Sequence, residues 1–325
     1  MIFYVSDLLS QLIDAEEVRE IVRRQCGYIL FDVPKETADQ LREPLSYISG
    51  KCMGYPAIWF ASTALELEHD DIVHRLSKQP GPLYISLTTS IADDFIDRDE
   101  NIKSVHMMLL YLFVFSSLRH PHWFNGQILE AYQRLIYPLV GAFVGEDHTR
   151  AHLQIEELER HAERSGWRIG NFFDTIIRGF MADDSPEFRS TVADLGRDFG
   201  NWCSHLDDIV DVERDILSGD TFTYPMFLLT RHSSELAQAV DNRDLSRCID
   251  AIRADWFVNA LEKHHVDRIS ELQAKAGMAG LSQLADRLGH VKSRLPQVIS
   301  AIRRENSQSA EWSEVVTPFA QAGAA

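Results

Sequence analysis

Two clusters of aspartates in the sequence have a spacing that suits metal binding. The first lies in DDFIDRDE, where Asp93 and Asp97 are spaced i, i+4 and Asp94 lies beside them. On a helix, Asp93 and Asp97 leave the same face one turn apart, and like charges at this spacing repel unless a cation lies between them. Magnesium suits such a pair, because it prefers oxygen ligands and is usually bound by one or two carboxylates together with phosphate oxygens.

The second cluster lies in LDDIVDVERD, where Asp207, Asp211 and Asp215 are spaced i, i+4, i+8 and Asp208 lies beside them. Apolar residues surround this acidic stripe, so the helix is not polar on all sides. A solvated acidic face more often carries Lys or Arg at i+4, whereas only Arg214 is near this stripe. The two clusters can therefore face each other and hold several cations.

The two clusters resemble the first and second aspartate-rich motifs of the trans-prenyl diphosphate synthases and their relatives, the class I terpene cyclases. HLDDIVDVERDILSGDTFTYP is similar to the second motif, including its downstream glycine and Tyr-Pro ending. SGKCMGYP, at residues 49–56, resembles the family's GGKRLRP, and Arg164-Ser165-Gly166 lies where the family has Lys-Thr-Gly. The resemblance extends over about residues 45–230, and the rest of the C-terminal part matches no motif.

The resemblance implies a bound cluster of Mg²⁺, three ions with substrate present, and an allylic prenyl diphosphate as substrate. The metal ligands it implies are Asp93, Asp94, Asp97, Asp207, Asp208, Asp211 and Asp215. The diphosphate-binding residues are Lys51, Lys103, Arg164 and Arg168, of which the two arginines are one helical turn apart. A surface pair between those arginines and nearby glutamates is the alternative.

A further set of side chains is expected to line a cavity for the prenyl chain. This set is Trp59, Tyr84, Thr88, Thr89, Phe172, Phe173 and Trp202. For each aromatic residue taken singly, an ordinary place in the core is the commoner role. In the family, residues one turn before the first acidic motif form the floor of the pocket. Because Thr88 and Thr89 are small, we expect a substrate of C20 or longer.

Three positive charges of the family's acceptor site are absent from this sequence. Cys52, Ile102 and Asp220 stand where the family has basic residues that bind isopentenyl diphosphate, whereas the metal-binding carboxylates are all present. We therefore predict a Mg²⁺-dependent class I terpene cyclase, which releases a hydrocarbon or alcohol and free diphosphate. The first alternative is a trans-prenyltransferase, either chain-elongating or head-to-head condensing. The second is a non-catalytic subunit of a heteromeric prenyl synthase, against which two intact acidic motifs argue.

The elements that carry these residues are predicted to be helices, because apolar residues recur at helical spacing and no alternating strand pattern appears. We predict an all-α, single-domain bundle with a central cavity at residues 1–306, followed by a tail at 307–325. Lys51 is predicted to follow a helix ending at Ser49-Gly50. The other helices predicted at this stage include 5–26, 104–118, 186 onward, 245–274 and 281–304.

Composition excludes several classes of function. A net charge of −17 over 325 residues argues against a nucleic-acid partner and against attachment to anionic membranes. The four cysteines are scattered and predict reduced thiols, and the N-terminus has no signal-peptide pattern, so we expect a cytoplasmic protein. No HExxH or tetrahedral ligand set predicts zinc. A homodimer is expected from the resemblance.

Overall fold

The computed structural model describes residues 5–30, 33–51, 54–96, 169–210, 212, 223–242 and 244–305. The regular elements in these residues are helices, and none of them is a strand, which confirms the all-α prediction. The helices are α1 Val5–Leu12, α2 Glu16–Cys26, a 3₁₀ turn Gly27–Leu30, α3 Lys35–Lys51, α4 Gly54–Ala64, α5 His69–Lys78, α6 Gly81–Ile96, α7 169–180, α8 Pro186–Val210, α9 Tyr224–His232, α10 Ser234–Asp241, α11 Leu245–Ile252, α12 Asp255–Met278 and α13 Ser282–Glu305.

The described residues group into two compact units. The N-terminal unit contains the described residues of 14–96 and 171–196. The C-terminal unit contains those of 5–13, 169–170 and 197–305. The single domain with a central cavity at residues 1–306, followed by a tail, therefore stays a prediction.

The N-terminal unit is organised around α4, which is buried on every side. Its residues include Tyr55, Ile58 and Phe60, each at most 1% exposed. A helix that is apolar all round is stable only when other helices cover it. Helices α2 and α6 supply part of that cover, and α2 shows the complementary pattern, with one buried stripe and charged residues elsewhere.

The C-terminal unit is built on a helical hairpin that consists of the two long helices α12 and α13. Gly280 joins them with φ of 77°, a left-handed conformation that glycine adopts without a steric penalty. The N–H of Leu281 donates to the carbonyl of Ala276 (3.0 Å) and that of Gly280 to Gly277 (3.1 Å). These two bonds form a Schellman motif, which ends α12 and allows α13 to pack back on it.

Three helix boundaries differ from those predicted. Residues 5–26 form two helices, because Asp14 adopts φ of 59°, a conformation that aspartate tolerates better than most residues. Residues 245–274 also divide, at the extended Ala254 that precedes α12. Helix α3 continues through Ser49 and Gly50 to Lys51, since a glycine inside a helix costs only about 1 kcal/mol and buried Leu45 and Ile48 hold this turn in place.

The start of α8 at Pro186 is confirmed, and α13 lies within one residue of its predicted bounds. The predicted helix 104–118 and the tail lie outside the described residues. Within the described part of the chain, no helix combines the length and the apolar character that crossing a bilayer requires.

Candidate functional site

The second acidic motif begins in the last turn of α8. This helix starts at Pro186, where the hydroxyl of Ser185 accepts a hydrogen bond from the N–H of Phe188 (3.3 Å) and so caps the first turn. Further along, its apolar residues are buried against the C-terminal unit: Phe199, Trp202, Cys203, Leu206 and Ile209. Asp207 and Asp208 are only partly buried. The fold therefore leaves these carboxylates accessible on a helix whose other face is anchored.

The thiol of Cys203 lies one turn before Asp207 on the same helix. Burial, and secondarily the negative charge of Asp207, raise the pKa of this thiol well above its ordinary value. The thiol is therefore favoured in its protonated form, and the oxygen donors that the structure describes in this turn of α8 are the carboxylates of Asp207 and Asp208.

Asp208 also contacts the first residue of the next described helix. Its Oδ2 accepts a hydrogen bond from the backbone N–H of Tyr224 (3.1 Å). Thr223, at the N-cap position of α9, makes no capping hydrogen bond with its own side chain. The carboxylate of Asp208 therefore acts as the cap of α9, where it also interacts favourably with the helix dipole.

The Tyr224 ring belongs to a stack with two histidines. It lies 3.8 Å from the ring of His264, centroid to centroid with an interplanar angle of 23°, and 5.4 Å from that of His205 at 10°. Nδ1 of His205 is 3.0 Å from Nε2 of His264, a distance at which one ring donates its N–H to the other. This stack, defined as His205, Tyr224 and His264, joins α8, α9 and α12.

The imidazoles of His264 and His265 are held neutral. Burial, together with His205 and Arg268 and partly opposed by Asp267, lowers the pKa of His264 from 6.5 to about 3. Burial is also the main cause that lowers the pKa of the fully buried His265 well below its ordinary value. A neutral His264 can accept the N–H of His205 at Nε2, since the accepting nitrogen must keep a free lone pair.

The first acidic motif lies at the C-terminal end of α6. Leu83, Leu87 and Ile91 anchor this helix in the N-terminal unit. Asp93 and Asp94 lie in its final turn by backbone position, but their side chains lie outside the described part. Three further predicted metal ligands, Asp97, Asp211 and Asp215, also lie outside the described residues.

Among the predicted diphosphate-binding residues, only the backbone of Lys51 is described, as the last residue of α3. The side chain of Lys51, together with Lys103, Arg164 and Arg168, lies outside the described residues. Their role therefore stays a prediction.

The predicted cavity residues are distributed over both units. Trp59, Tyr84, Thr88, Thr89, Phe172 and Phe173 belong to the N-terminal unit, and Trp202 belongs to the C-terminal unit. The aromatic residues of this set are at most 5% exposed, whereas the two threonines are partly exposed. Thr88 donates its hydroxyl to the Tyr84 carbonyl of its own helix (2.9 Å). Trp202 stacks on Phe199, with ring centroids 5.5 Å apart. That these residues line a cavity stays a prediction.

The described donors fit magnesium by their chemistry. Asp207 and Asp208 present oxygen ligands at an accessible helix end, and the nearby Cys203 is protonated. Among the residues that the structure describes, no group of three or more His, Cys, Asp and Glu side chains forms a metal site. A complete Mg²⁺ site would therefore need carboxylates of the acidic motifs that lie outside this part.

Sequence reasoning did not single out His264, and Tyr224 and His205 entered only as part of the string that resembles the second motif. A weak signal for His264 is present in the sequence, namely two adjacent histidines, His264 and His265, in an otherwise amphipathic helix. Their contact with the second acidic motif depends on how α12 packs.

Comparison with known proteins gives a likeness in fold. No protein-family model matches the chain, and no curated protein sequence matches it. Among solved structures, the chain is similar to the crystal structure of a heptaprenyl diphosphate synthase from Staphylococcus aureus. The TM-score is 0.61 at 14% identity, and the alignment covers 89% of this chain and 98% of that chain. The chain therefore has the helical fold of a prenyl diphosphate synthase, while identity this low shows the fold alone.

Proposed function

We propose that this protein is a Mg²⁺-dependent class I terpene synthase that ionises a linear allylic prenyl diphosphate. The proposal is carried by one observation, which is that a chain with an isoprenoid-synthase-like fold has Asp207 and Asp208 partly exposed on a helix whose apolar residues are buried. The first acidic motif, around Asp93, lies at the C-terminal end of another buried helix. These are oxygen donors of the kind that magnesium and a diphosphate require.

In this proposal, Asp93, Asp97, Asp207 and Asp211 are the principal metal ligands, with Asp94, Asp208 and Asp215 in support. Lys51, Arg164, Arg168 and Lys103 bind the diphosphate, which guanidinium groups can contact through two parallel hydrogen bonds. Bound magnesium supplies Lewis-acid stabilisation of the charge that develops on the departing diphosphate. The apolar side chains of the predicted cavity exclude water from the allylic cation, and the shape of that cavity directs ring closure.

The absent basic residues favour cyclisation over chain elongation. Each charge-assisted hydrogen bond to a diphosphate contributes about 1.5–3 kcal/mol. With two or three cations lost at Cys52, Ile102 and Asp220, binding of isopentenyl diphosphate would be weakened by about 3–9 kcal/mol on the same scale. An allylic diphosphate does not depend on these positions, because magnesium supplies the positive charge.

The substrate is proposed to be C20 or longer. Thr88 and Thr89 are small and lie one turn before the acidic end of α6, where bulky side chains would shorten the space for a prenyl chain. Competition between C10, C15 and C20 diphosphates for turnover tests this point. A preference for C10 or C15 would contradict it.

The decisive experiment incubates purified protein and Mg²⁺ with a single allylic diphosphate, with and without isopentenyl diphosphate. Gas chromatography of the organic extract should show a hydrocarbon or alcohol, together with release of free diphosphate. Addition of isopentenyl diphosphate should not lengthen the product. Excess EDTA, Asp93→Ala or Asp207→Ala should abolish turnover while circular dichroism shows an intact helical fold.

The second candidate function is a trans-prenyltransferase, favoured by the likeness to a heptaprenyl diphosphate synthase. Elongated linear diphosphates as the only products would establish it over the cyclase, and a head-to-head product would indicate the condensing variant. If the protein turns over no allylic diphosphate alone but activates a second chain, it is a non-catalytic subunit. Light scattering after gel filtration tests the expected homodimer.

A further inference from the structure

The stack of His205, Tyr224 and His264 lies beside the aspartates of the second acidic motif. Tyr224 contacts this motif through its backbone, since its N–H donates to Oδ2 of Asp208 (3.1 Å). The Tyr224 ring is held separately, by contacts with the imidazoles of two other helices. Tyr224 therefore connects the orientation of the Asp208 side chain to the ring contacts of the stack.

We propose that the stack is a positioning device for the second acidic motif, because it holds the Tyr224 amide against Asp208 and thereby fixes how the motif presents its carboxylates to magnesium. His264 and Tyr224 are thus positioning residues that act through Asp208. The inference rests on the proposed function, since it assumes that this motif binds Mg²⁺.

The geometry supports this role in two steps. His205 and Asp208 are spaced i, i+3 on α8, so they lie on the same side of the helix and can both meet Tyr224. His205 contacts its ring and Asp208 its amide. The position of Tyr224 relative to the last turn of α8 is therefore determined at two points.

His264 completes the arrangement from α12. Its ring is 3.8 Å from that of Tyr224, and its Nε2 is 3.0 Å from Nδ1 of His205. These two facing nitrogens are engaged with each other, so the contact links α8 to α12 beside the acidic motif. Groups that orient metal ligands in this way typically change metal affinity or activity by about 10- to 100-fold when they are removed.

The arrangement also gives Asp208 a defined role. One oxygen of Asp208 accepts the bond from the Tyr224 amide, so this side chain has a fixed direction and links the motif to the stack.

Variants of Tyr224 separate the contribution of the ring from that of the amide. Tyr224→Ala keeps the N–H and removes the ring, whereas Tyr224→Pro removes both. Proline suits this first helical position, and the extended Thr223 before it, with φ −89° and ψ 157°, is compatible with a following proline. Tyr224→Phe keeps ring and amide and should recover most of what Tyr224→Ala loses.

The test is isothermal titration of Mg²⁺ into the protein in the presence of inorganic diphosphate, followed by kinetics at several Mg²⁺ concentrations. Tyr224→Ala and His264→Ala should weaken Mg²⁺ binding by about 10-fold or more. Tyr224→Pro should bind more weakly still. High Mg²⁺ should restore kcat in Tyr224→Ala, which a loss of folded protein would not allow. The matched control is His290→Ala, because His290 is an exposed histidine on α13 and should behave as the unaltered protein.

The outcomes distinguish this inference from the proposed function. If the unaltered protein binds Mg²⁺ and Asp207→Asn does not, while Tyr224→Ala and His264→Ala bind normally, the positioning role is wrong and the proposed function stands. If Asp207→Asn binds Mg²⁺ as the unaltered protein does, the proposed function fails and the inference fails with it. Should Tyr224→Ala unfold, Tyr224→Leu fills the same space without an aromatic ring and gives the same test.

Discussion

Single residues near the second acidic motif are held in defined protonation states by burial. His264 and His265 stay neutral because their imidazoles are shielded from water and lie beside His205 and the cationic Arg268. Asp267 opposes this effect at His264 without reversing it. In the unfolded chain the same histidines would titrate near 6.5.

Acid should therefore begin to destabilise the protein at pH values that are still above the range in which carboxylates titrate. Below pH 6.5 the unfolded chain takes up protons that the folded His264, with its pKa of about 3, does not accept. The stability that His264 contributes is complete above pH 6.5 and is lost as pH falls toward 3. The free energy of unfolding, measured with urea between pH 7.5 and about pH 5, should decrease by up to about 1.4 kcal/mol per pH unit for each such histidine.

His264→Gln should flatten this pH dependence, whereas His290→Gln should leave it unchanged. Equal slopes in the unaltered protein and in His264→Gln would show that other groups cause the acid sensitivity.

At the scale of helices, a glycine allows α7 to approach α8 closely. A Cβ built on Gly170 would lie 2.7 Å from the backbone carbonyl oxygen of Arg197 and 2.1 Å from Oδ1 of Asn201. Gly170→Ala should therefore force this contact apart and destabilise the protein by about 1–3 kcal/mol, as overpacked cores do.

Gly277→Ala is the control, since a Cβ there meets nothing within 4 Å. It should be neutral or stabilise α12 by up to about 1 kcal/mol. Urea unfolding of both variants measures the difference, and a destabilised Gly277→Ala variant with a stable Gly170→Ala variant would contradict the close approach.

Two ion pairs connect α5 with the segment between α7 and α8, and they differ in exposure. Arg75 makes two hydrogen bonds to Asp184 (2.5 and 3.2 Å), and these side chains are 27% and 17% exposed. Lys78 contacts Asp183 at 2.7 Å, with both side chains 59% exposed. Asp184→Ala should cost about 1.5–3 kcal/mol, and Asp183→Ala about 0.2–1 kcal/mol, because solvent screens the exposed pair. Chemical denaturation measures the free energy of unfolding of the two variants, and equal losses of stability would contradict the difference expected between the two ion pairs.

At the scale of the whole molecule, the net charge of −17 makes cation binding a source of stability. If Mg²⁺ and diphosphate bind the folded chain at the acidic motifs, they should raise its unfolding temperature together. The gain in free energy is about 2.7 kcal/mol when free ligand exceeds Kd 100-fold. Differential scanning calorimetry should show a shift with MgCl₂ and sodium diphosphate together, and a much smaller one for Asp207→Asn. An equal shift in that variant would place the ligand elsewhere.

The sequence by itself determined the class of fold and the helical structure of the segments that contain the acidic motifs. Helical periodicity is a property of neighbouring residues, so it predicted the start of α8 and both ends of α13 closely and favoured an all-α fold. The Asp207-Asp208 pair at the end of an apolar helix was visible for the same reason. The likeness in fold to a prenyl diphosphate synthase at 14% identity agrees with this, since a helical bundle requires the apolar pattern and few particular residues.

Only the tertiary structure decided what surrounds the second motif. His264 meets Tyr224 and His205 because α12 packs beside α8 and α9, and no local pattern encodes which turn of one helix faces another. The continuation of α3 to Lys51 was also decided by burial, because the buried Leu45 and Ile48 outweigh the small local preference of glycine against a helix. Contacts between distant helices depend on many weak interactions that act together, so no single stretch of the sequence predicts them.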